Sequence, residues 1–332
     1  MKISLFQTIR FLLIGCVLFL GSISTHAGEY DPMAVSANIK VKIIDITVHD
    51  KARVREIPIR VYLPSVDSPL PVILFSHGLG GSRETCAYIG EHWSARGYTV
   101  VFLQHPGSDN SVGKGLRLRK RMKALKNAGN AHNLQLRVQD VDVVLDTLDK
   151  WNTTDGHKFK GLLELKKVGM SGHSFGARTT QAVSGQRFKG EKATFTDSRI
   201  IAALLMSPSS PSDGTPKEVF SKVSVPWMLM TGTRDSAPFG AADVKSRLAV
   251  FPALPPGGKY ELVLFEAEHS AFTASAMRRR AKARNPNHHQ AILAISTAFW
   301  DAYLRKDTVA RKWLDGDGPR TVLEKRDAWQ IK

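Results

Sequence analysis

Short apolar runs of strand length alternate with helix-length amphipathic patterns along most of this 332-residue chain. The strand-like runs are continuous, as in residues 71–77 and 99–105, rather than alternating between apolar and polar residues. Continuous apolar strands are typical of a sheet whose two faces are both covered by helices. Strands of this kind, separated by helices, predict an α/β fold with a mostly parallel, doubly wound sheet. The chain shows no internal repeat and no low-complexity linker, which favours a single domain.

The expected elements can be placed along the chain. An opening pair of strands is expected at residues 41–48 and 57–64, before the alternation begins. The predicted helices cover residues 84–96, 134–151 and 291–304, and a further helix begins at Phe175. The remaining buried strands are expected at residues 168–174, 202–208, 225–232 and 260–267. Residues 306–332 or thereabouts are expected to form a C-terminal helical extension.

The N-terminal segment has the pattern of an export signal. Lys2 and Arg10 flank a polar start, an apolar run covers residues 11–23, and T-H-A ends at Ala27. A run this short spans a bilayer poorly, which favours a cleaved secretory signal peptide over residues 1–27. The alternatives are an uncleaved membrane anchor and lipidation at Cys16, although cleavage at Cys16 would split the apolar run. We therefore expect an exported protein, periplasmic or extracellular, whose residues 28–332 form one domain.

Positive charge is concentrated in two short clusters. The formal net charge is +17, and basic residues crowd residues 114–123 and 278–284. Such an excess favours weak attraction to anionic surfaces. Neither cluster has interleaved aromatics or a nucleic-acid-binding motif, so no nucleic-acid partner is expected, and a solvated basic face is the simpler interpretation. The first cluster lies in a basic insertion at about residues 107–131, which could form part of a lid or substrate wall.

The pentapeptide G-H-S-F-G at residues 172–176 stands between a predicted strand and a predicted helix. Ligand sites of doubly wound sheets lie beyond the carboxyl ends of the strands, where Ser174 is expected. A serine in this sharp turn is presented as a nucleophile, and Gly172 and Gly176 remove side chains that would collide there. The motif also arises by chance, in which case Ser174 would be an ordinary turn residue. The choice depends on whether the chain supplies an acid, a base and an oxyanion hole.

An acid and a base follow later strands in a suitable order. Asp235 comes directly after the strand at residues 225–232, and His269 comes after the next strand. The order Ser, Asp, His is that of serine hydrolases built on a parallel α/β sheet. In such a set the imidazole takes the serine proton, and the carboxylate holds the imidazole in the required tautomer. Asp213 is the rival acid, and His105 and His173 are the rival bases.

The glycine-rich turn S-H-G-L-G-G-S at residues 76–82 follows an earlier strand and predicts an oxyanion hole. Its donors are expected to be the backbone N–H groups of Leu79 and of Phe175, the residue after the nucleophile. Loss of one such donor typically raises the barrier by about 3 kcal/mol.

Several further side chains are candidates for the substrate pocket. His77 is expected to brace the oxyanion turn beside Gly78, and His105 to shape the pocket wall. His173 adjoins the nucleophile and either lines the cleft or points away from it. Trp227 and Phe239 are core or pocket-wall residues, with the core favoured for Trp227 because it lies inside a strand. The adjacent residues His288 and His289 face different sides of a helix, so no metal site is expected.

Four of these motifs together resemble a known family. The segments F-S-H-G-L-G-G, G-H-S-F-G, T-R-D-S-A-P and E-H-S-A-F, spread over about residues 40–305, resemble α/β-hydrolases of the platelet-activating-factor acetylhydrolase and dienelactone-hydrolase-like group. Polyester-degrading cutinases are more distantly similar. The resemblance implies an α/β-hydrolase fold and a cofactor-free serine esterase with Ser174, Asp235 and His269 as its triad. Dienelactone hydrolases use a cysteine nucleophile, so their reaction is not expected, and the insertion at residues 111–130 matches nothing in the pattern.

The function expected from these observations is hydrolysis of carboxylic esters. Its substrate would be a small-molecule, lipid or polymer ester, and the protein is expected to act as a monomer without cofactor or metal. A peptidase or a thioesterase on the same fold is the alternative enzyme. A catalytically silent binding protein is the alternative outside enzymes, since fold does not determine function. Such a protein would have no chemical reason to keep Ser174, Asp235 and His269 together.

Overall fold

A nine-stranded, mostly parallel sheet forms the centre of the computed structural model, which describes residues 30–188, 195–210, 214–238, 242–273 and 285–332. Its strand order is β1-β2-β4-β3-β5-β6-β7-β8-β9. The strands are β1 (Val41–Asp50), β2 (Arg55–Pro64), β3 (Leu70–Ser76), β4 (Thr99–Leu103), β5 (Leu163–His173), β6 (Ile200–Met206), β7 (Trp227–Arg234), β8 (Lys259–Glu268) and β9 (Ala328–Ile331). The predicted α/β-hydrolase fold is confirmed.

The six inner strands β3 to β8 are parallel to one another, and antiparallel strands close both edges of the sheet. The hairpin of β1 and β2 pairs with β4 at one edge. At the other edge β9 pairs antiparallel with β8, with Tyr260 opposite Ile331. The opening pair of strands was predicted, but the strand at the C-terminal end was not.

Helices cover both faces of the sheet. Within the described residues these are α1 (Ala87–Ala95), α2 (Leu118–Ala128), α3 (Ala131–Thr153), α4 (Phe175–Val183), α5 (Pro216–Phe220), α6 (Val244–Leu248), α7 (Val250–Ala253), α8 (Pro286–Leu304) and α9 (Thr308–Asp315). Apolar residues of α3 and α4 pack on Val72 and Leu74 of β3. On the opposite face Trp93 of α1 meets Trp300 of α8, with ring centroids 5.6 Å apart. Apolar side chains of helices therefore cover both faces of the sheet, as expected for strands that are apolar on both faces.

Two parts of the chain differ from the expected pattern. Helix α2 lies inside the basic insertion, where no helix was predicted. Neighbouring like charges weaken an isolated helix, so α2 depends on its packing rather than on its own propensity. The C-terminal extension is helical over α9 and a short 3₁₀ turn at Gly318–Thr321, and then ends as β9. A strand of four residues is too short to give a periodic signal.

Trp227 lies in the core rather than in the pocket wall. Its side chain is fully buried at the start of β7, within an apolar cluster that includes Phe220 and Phe251. Its indole Nε1–H donates to the carbonyl oxygen of Ser184 at 3.2 Å. The residue begins β7, whereas the candidate site lies beyond the other end of the strand, so Trp227 is withdrawn from the set of pocket candidates.

None of the helices within the described ranges is both long enough and apolar enough to cross a membrane. The predicted signal peptide at residues 1–27, including Cys16, lies outside the described residues, as does the second basic cluster at residues 278–284.

Replacing Trp227 with alanine should lower the free energy of unfolding by about 3–5 kcal/mol, because a large buried ring is lost. Trp227→Phe should lose less, since much of the ring volume is kept. Urea unfolding followed by circular dichroism measures both effects. The KM of Trp227→Phe for short esters should equal that of the wild type. A changed KM with unchanged stability would place this side chain in the pocket instead.

Candidate active site

The carboxyl ends of the parallel strands bring the three predicted catalytic residues together. Ser174 directly follows β5, Asp235 directly follows β7, and His269 directly follows β8. The His269 Nε2 lies 2.9 Å from the Ser174 Oγ. The His269 Nδ1 lies 2.7 Å from the Asp235 Oδ1. The three side chains thus form one chain of hydrogen bonds from the hydroxyl to the carboxylate.

The turn at Ser174 has the strained backbone of a nucleophile elbow. Its φ of 58° and ψ of −113° lie in a region that side-chain-bearing residues rarely adopt, a conformation that costs about 1–3 kcal/mol. A Cβ on Gly172 would lie 2.3 Å from the carbonyl oxygen of Gly176. A Cβ on Gly176 would lie 1.8 Å from the carbonyl oxygen of Ser76. Both glycines are therefore needed for the backbone to pass through this turn.

Asp235 is a fully buried carboxylate with partners on both oxygens. Its Oδ2 accepts a hydrogen bond from the Thr231 hydroxyl at 2.9 Å, while Oδ1 faces His269. Burial opposes the charge, but the hydrogen bond from His269 and the positive charge of Arg247 outweigh it and lower the pKa of Asp235. The carboxylate is therefore ionised at neutral pH, as a residue that orients an imidazole must be.

Arg247 is a partner of this pair that sequence reasoning missed. Its side chain is 1% exposed, and its Nε lies 2.9 Å from the Asp235 Oδ1. The same Nε donates to the Asp235 carbonyl oxygen, and Nη1 donates to the carbonyls of Ser207 and Pro208. Its Nη2 lies 3.1 Å from the His269 Nδ1. Nothing in the sequence distinguishes Arg247 from the many other basic residues of the chain.

One predicted oxyanion donor belongs to the elbow, and the other to the glycine-rich turn that packs against it. A Cβ on Gly78 would lie 3.5 Å from the Ser174 Cβ, so the glycine-rich turn rests against the nucleophile. Leu79 follows on this turn, and Phe175 is the first residue of α4. Within the described ranges neither of their backbone N–H groups has a protein acceptor. Such groups at a helix start and in a tight turn can receive a developing negative charge.

A second buried arginine links the two segments that carry these N–H groups. The Arg137 Nη1 donates to the His77 carbonyl oxygen at 2.7 Å, and its Nε donates to the Ser108 hydroxyl at 2.8 Å. Its guanidinium also lies over the Phe175 ring, 4.4 Å from the centroid. Burial lowers the pKa of Arg137 to about 9, so the group is still protonated at neutral pH.

The histidines near the turn are enclosed rather than exposed to a cleft. His77 is fully buried, and its Nδ1 donates to the Gly78 carbonyl at 2.7 Å, a contact suited to bracing the turn. His105 is also fully buried, with Nε2 2.9 Å from the Ser76 hydroxyl and Nδ1 3.0 Å from the Asp140 carboxylate. His105 therefore supports the glycine-rich turn from inside the core. Its predicted place on the pocket wall was wrong, because these two contacts hold its ring in the core.

His173 is the one rival histidine that contacts the candidate site directly. Its ring centroid lies 4.6 Å from that of His269, and its Nε2 donates to the His269 carbonyl at 3.2 Å. Burial and the neighbouring His269 lower the pKa of His173. Its partner is a carbonyl rather than a carboxylate or the serine, so the geometry makes it a support for His269.

Two candidate residues cannot be placed, and the described part of the chain holds no group of side chains suited to a metal ion. Phe239 and the rival acid Asp213 lie outside the described residues. In the part of the chain that the structure describes, no group of three or more His, Cys, Asp or Glu side chains could hold a metal ion. His288 and His289 each bind a different backbone carbonyl, of Phe265 and Ala271.

Comparison with known families agrees with this geometry. Residues 56–147 match the family model described as platelet-activating factor acetylhydrolase, isoform II. Over these residues the chain resembles that family. The match runs from β2 into α3 and so includes the turn at Gly78 and Leu79 and the basic insertion. It ends before Ser174. No curated protein matches the chain significantly.

The predicted resemblance to the acetylhydrolase group is thereby confirmed, while the likeness to cutinases stays a prediction. The match and the fold together support a serine hydrolase that acts on esters.

Replacing Arg247 with methionine should lower kcat/KM for a soluble ester by about 10- to 100-fold, a loss like that seen when a residue orienting a metal-ligating histidine is removed. The acidic limb of the pH profile should also move to higher pH. The reason is that the positive charge of Arg247, which helps to lower the pKa of Asp235, is lost, so the carboxylate binds a proton at a higher pH. Arg247→Lys should restore the profile in part.

Lys245→Met is the matched control, since Lys245 is an exposed residue of the same helix. Unchanged kcat/KM and an unchanged acidic limb in a folded Arg247→Met protein would show that Arg247 does not act on the pair.

His105 should make the protein sensitive to acid. Burial, with a further contribution from Arg137, lowers its pKa to about 4 from an ordinary 6.5. As pH falls below 6.5, His105 binds a proton in the unfolded chain but stays neutral in the folded protein. The free energy of unfolding therefore decreases between pH 6.5 and pH 4. Between these values the wild type should lose about 3 kcal/mol more unfolding free energy than His105→Gln. Urea titrations at several pH values measure this difference, and parallel curves for the two proteins would contradict it.

Proposed function

We propose that this protein is an exported serine hydrolase that cleaves carboxylic esters through an acyl-enzyme on Ser174. The observation that carries the proposal is the unbroken hydrogen-bond chain from the Ser174 Oγ through His269 to Asp235. The similarity of residues 56–147 to platelet-activating factor acetylhydrolase supports an ester as the substrate. Export is part of the proposal and rests on the N-terminal sequence pattern. A monomeric state is proposed with it.

In the first half of the reaction the His269 Nε2 takes the proton of Ser174 while Oγ attacks the ester carbonyl carbon. The carbonyl oxygen becomes an oxyanion that the N–H groups of Leu79 and Phe175 would hold. Collapse of this intermediate breaks the bond to the alkoxy oxygen, which receives the proton from His269 and leaves as an alcohol. Ser174 now carries the acyl group as an ester.

In the second half His269 removes a proton from water, and the resulting hydroxide attacks the acyl carbon. The oxyanion forms again at the same place, and its collapse releases the carboxylic acid and returns the proton to Ser174. Asp235 keeps its charge throughout and stabilises the imidazolium that appears in each half. The balance of atoms needs only water and the ester, and no cofactor takes part.

The surroundings of the triad favour a working enzyme over a silent binding protein. The strained φ at Ser174 and the buried carboxylate at Asp235 both lower the stability of the fold, a cost that catalysis explains. A binding protein would gain nothing from either. A thioesterase or a peptidase would use the same residues, and esters are preferred because of the family similarity.

Ser174→Ala should reduce kcat for short p-nitrophenyl esters by several orders of magnitude, leaving only the contribution of the oxyanion hole and binding. Circular dichroism should show an intact fold, because alanine keeps the Cβ of Ser174 and removes only its hydroxyl. Turnover at the wild-type rate by the variant would remove Ser174 from the mechanism.

The choice of acid is tested separately. Asp235→Asn should lower kcat by about 10⁴-fold, because the amide favours the wrong imidazole tautomer. Asp213→Asn should leave kcat within about threefold of the wild type, because Asp235 already bonds to the His269 Nδ1. The reverse result in steady-state assays would transfer the role of the acid to Asp213.

A further inference from the structure

A continuous stretch of positive charge, residues 114–126, lies beside the candidate active site. We call it the basic platform. It carries no acidic residue, and its basic residues are Lys114, Arg117, Arg119, Lys120, Arg121, Lys123 and Lys126. All of these are exposed. Within the described ranges none of them forms an ion pair with a carboxylate. The charge of the platform is therefore available to an external partner.

Apolar side chains stand among these charges. Leu118 is 75% exposed and Met122 is 37% exposed, one turn apart on α2, and Leu116 just before the helix is 46% exposed. A surface leucine taken singly needs no explanation, but three large apolar residues within a short basic segment form an amphipathic surface. Basic helices with exposed leucines are typical of segments that lie in the headgroup region of a membrane.

The basic platform is anchored on the turn that carries a predicted oxyanion donor. The side chain of Leu125, one of two buried residues of α2, lies 2.7 Å from where a Cβ of Gly80 would stand. On the other side the Leu79 Cδ2 lies 3.1 Å from where a Cβ of Gly129 would stand, directly after the helix. Helix α2 and the residue after it thus pack against Gly80 and against the Leu79 side chain. A surface bound to the platform would meet the protein next to the mouth of the site.

A depression beside the platform has room for a lipid headgroup. It encloses about 550 Å³ and is lined by Lys114, Arg121, Leu116, Ser111, Asn110 and Gln104. Its two cationic residues and its three uncharged polar residues suit a phosphodiester oxygen, and Leu116 is placed beside them. The walls thus combine positive charge with apolar surface.

We propose that the basic platform is a docking surface for bilayers rich in anionic lipid. Positive charge would attract the bilayer, Leu116, Leu118 and Met122 would enter its headgroup region, and ester substrates would reach Ser174 from the interface. The last step rests on the proposed function, whereas the docking itself does not. A nucleic acid fits the surface less well, because there are no aromatic side chains for bases to stack on and the exposed apolar residues would stay in water.

The experiment uses the full mature chain and vesicles of phosphatidylcholine with or without phosphatidylglycerol. Co-sedimentation should show binding to the anionic vesicles and weaker or no binding to the neutral ones, with the difference shrinking at high salt. Arg119→Glu combined with Lys123→Glu should weaken binding by at least about 25-fold, since each lost basic charge near an anionic surface costs about fivefold in affinity. Leu118→Ser combined with Met122→Ser should also weaken binding, but without changing its salt dependence.

Lys217→Glu combined with Lys222→Glu is the matched control, because it makes the same change in net charge at exposed residues of another part of the surface. This control should bind anionic vesicles within about threefold of the wild type, as expected of a distant site. If the control and the platform variant lost the same affinity for anionic vesicles, the net charge of the protein alone would explain the binding, and the proposal would be overturned. Failure of the wild type to prefer anionic vesicles, or binding of DNA in place of vesicles, would also overturn it.

Hydrolysis of a soluble short ester separates this proposal from the proposed function. The platform variants should keep the wild-type kcat/KM for that ester, which also shows that they fold, and lose turnover only for esters dispersed in anionic vesicles. If the wild type binds vesicles but cleaves no ester, the proposed function is contradicted, whereas the docking surface is still supported.

Discussion

The close approach of the Gly176 backbone to the Ser76 carbonyl is the constraint on which the site depends. The space where a Cβ of Gly176 would stand lies 1.8 Å from that oxygen, so no other residue fits here without moving a strand. This contact joins the start of α4 to the end of β3. It therefore sets the distance between the elbow, with the Phe175 N–H, and the glycine-rich turn, with the Leu79 N–H. The strained Ser174 backbone is held in place by the same crossing.

Two buried arginines extend this arrangement across the carboxyl edge of the sheet. Arg137 contacts residues that follow β3, β4 and β5, namely His77, Ser108 and Phe175. Arg247 contacts residues that follow β6, β7 and β8, namely Ser207, Asp235 and His269. Each guanidinium presents several donors in a rigid plane, which suits it to joining carbonyls from separate loops. Burying a positive charge costs free energy. Around Arg247 this cost is offset by the Asp235 carboxylate and by the carbonyl oxygens of Asp235, Ser207 and Pro208.

The sequence predicted the sheet and the positions of Ser174, Asp235 and His269 because each follows a recognisable apolar strand. The end of a strand can be recognised from the local sequence. Because sites of parallel α/β sheets lie beyond the carboxyl ends of the strands, a residue that follows a strand can be assigned to the site from sequence. Arg137, Arg247 and the role of His105 could not be predicted in this way. Their contacts join segments far apart in the chain, and no periodicity marks a buried arginine among exposed ones. Helix α2 was missed because its many basic residues leave only a short apolar repeat, which is buried through Leu125 and Ala128.

The central claim is that Ser174 is a nucleophile activated by His269. Peptide mass spectrometry after treatment with a fluorophosphonate tests it most directly, because the reagent reports a covalent bond to one serine and not merely turnover. A single phosphonyl adduct is expected on the peptide that contains Ser174, and its formation should be strongly slowed in His269→Ala. An adduct on a different serine, or none in the folded wild type, would contradict the account.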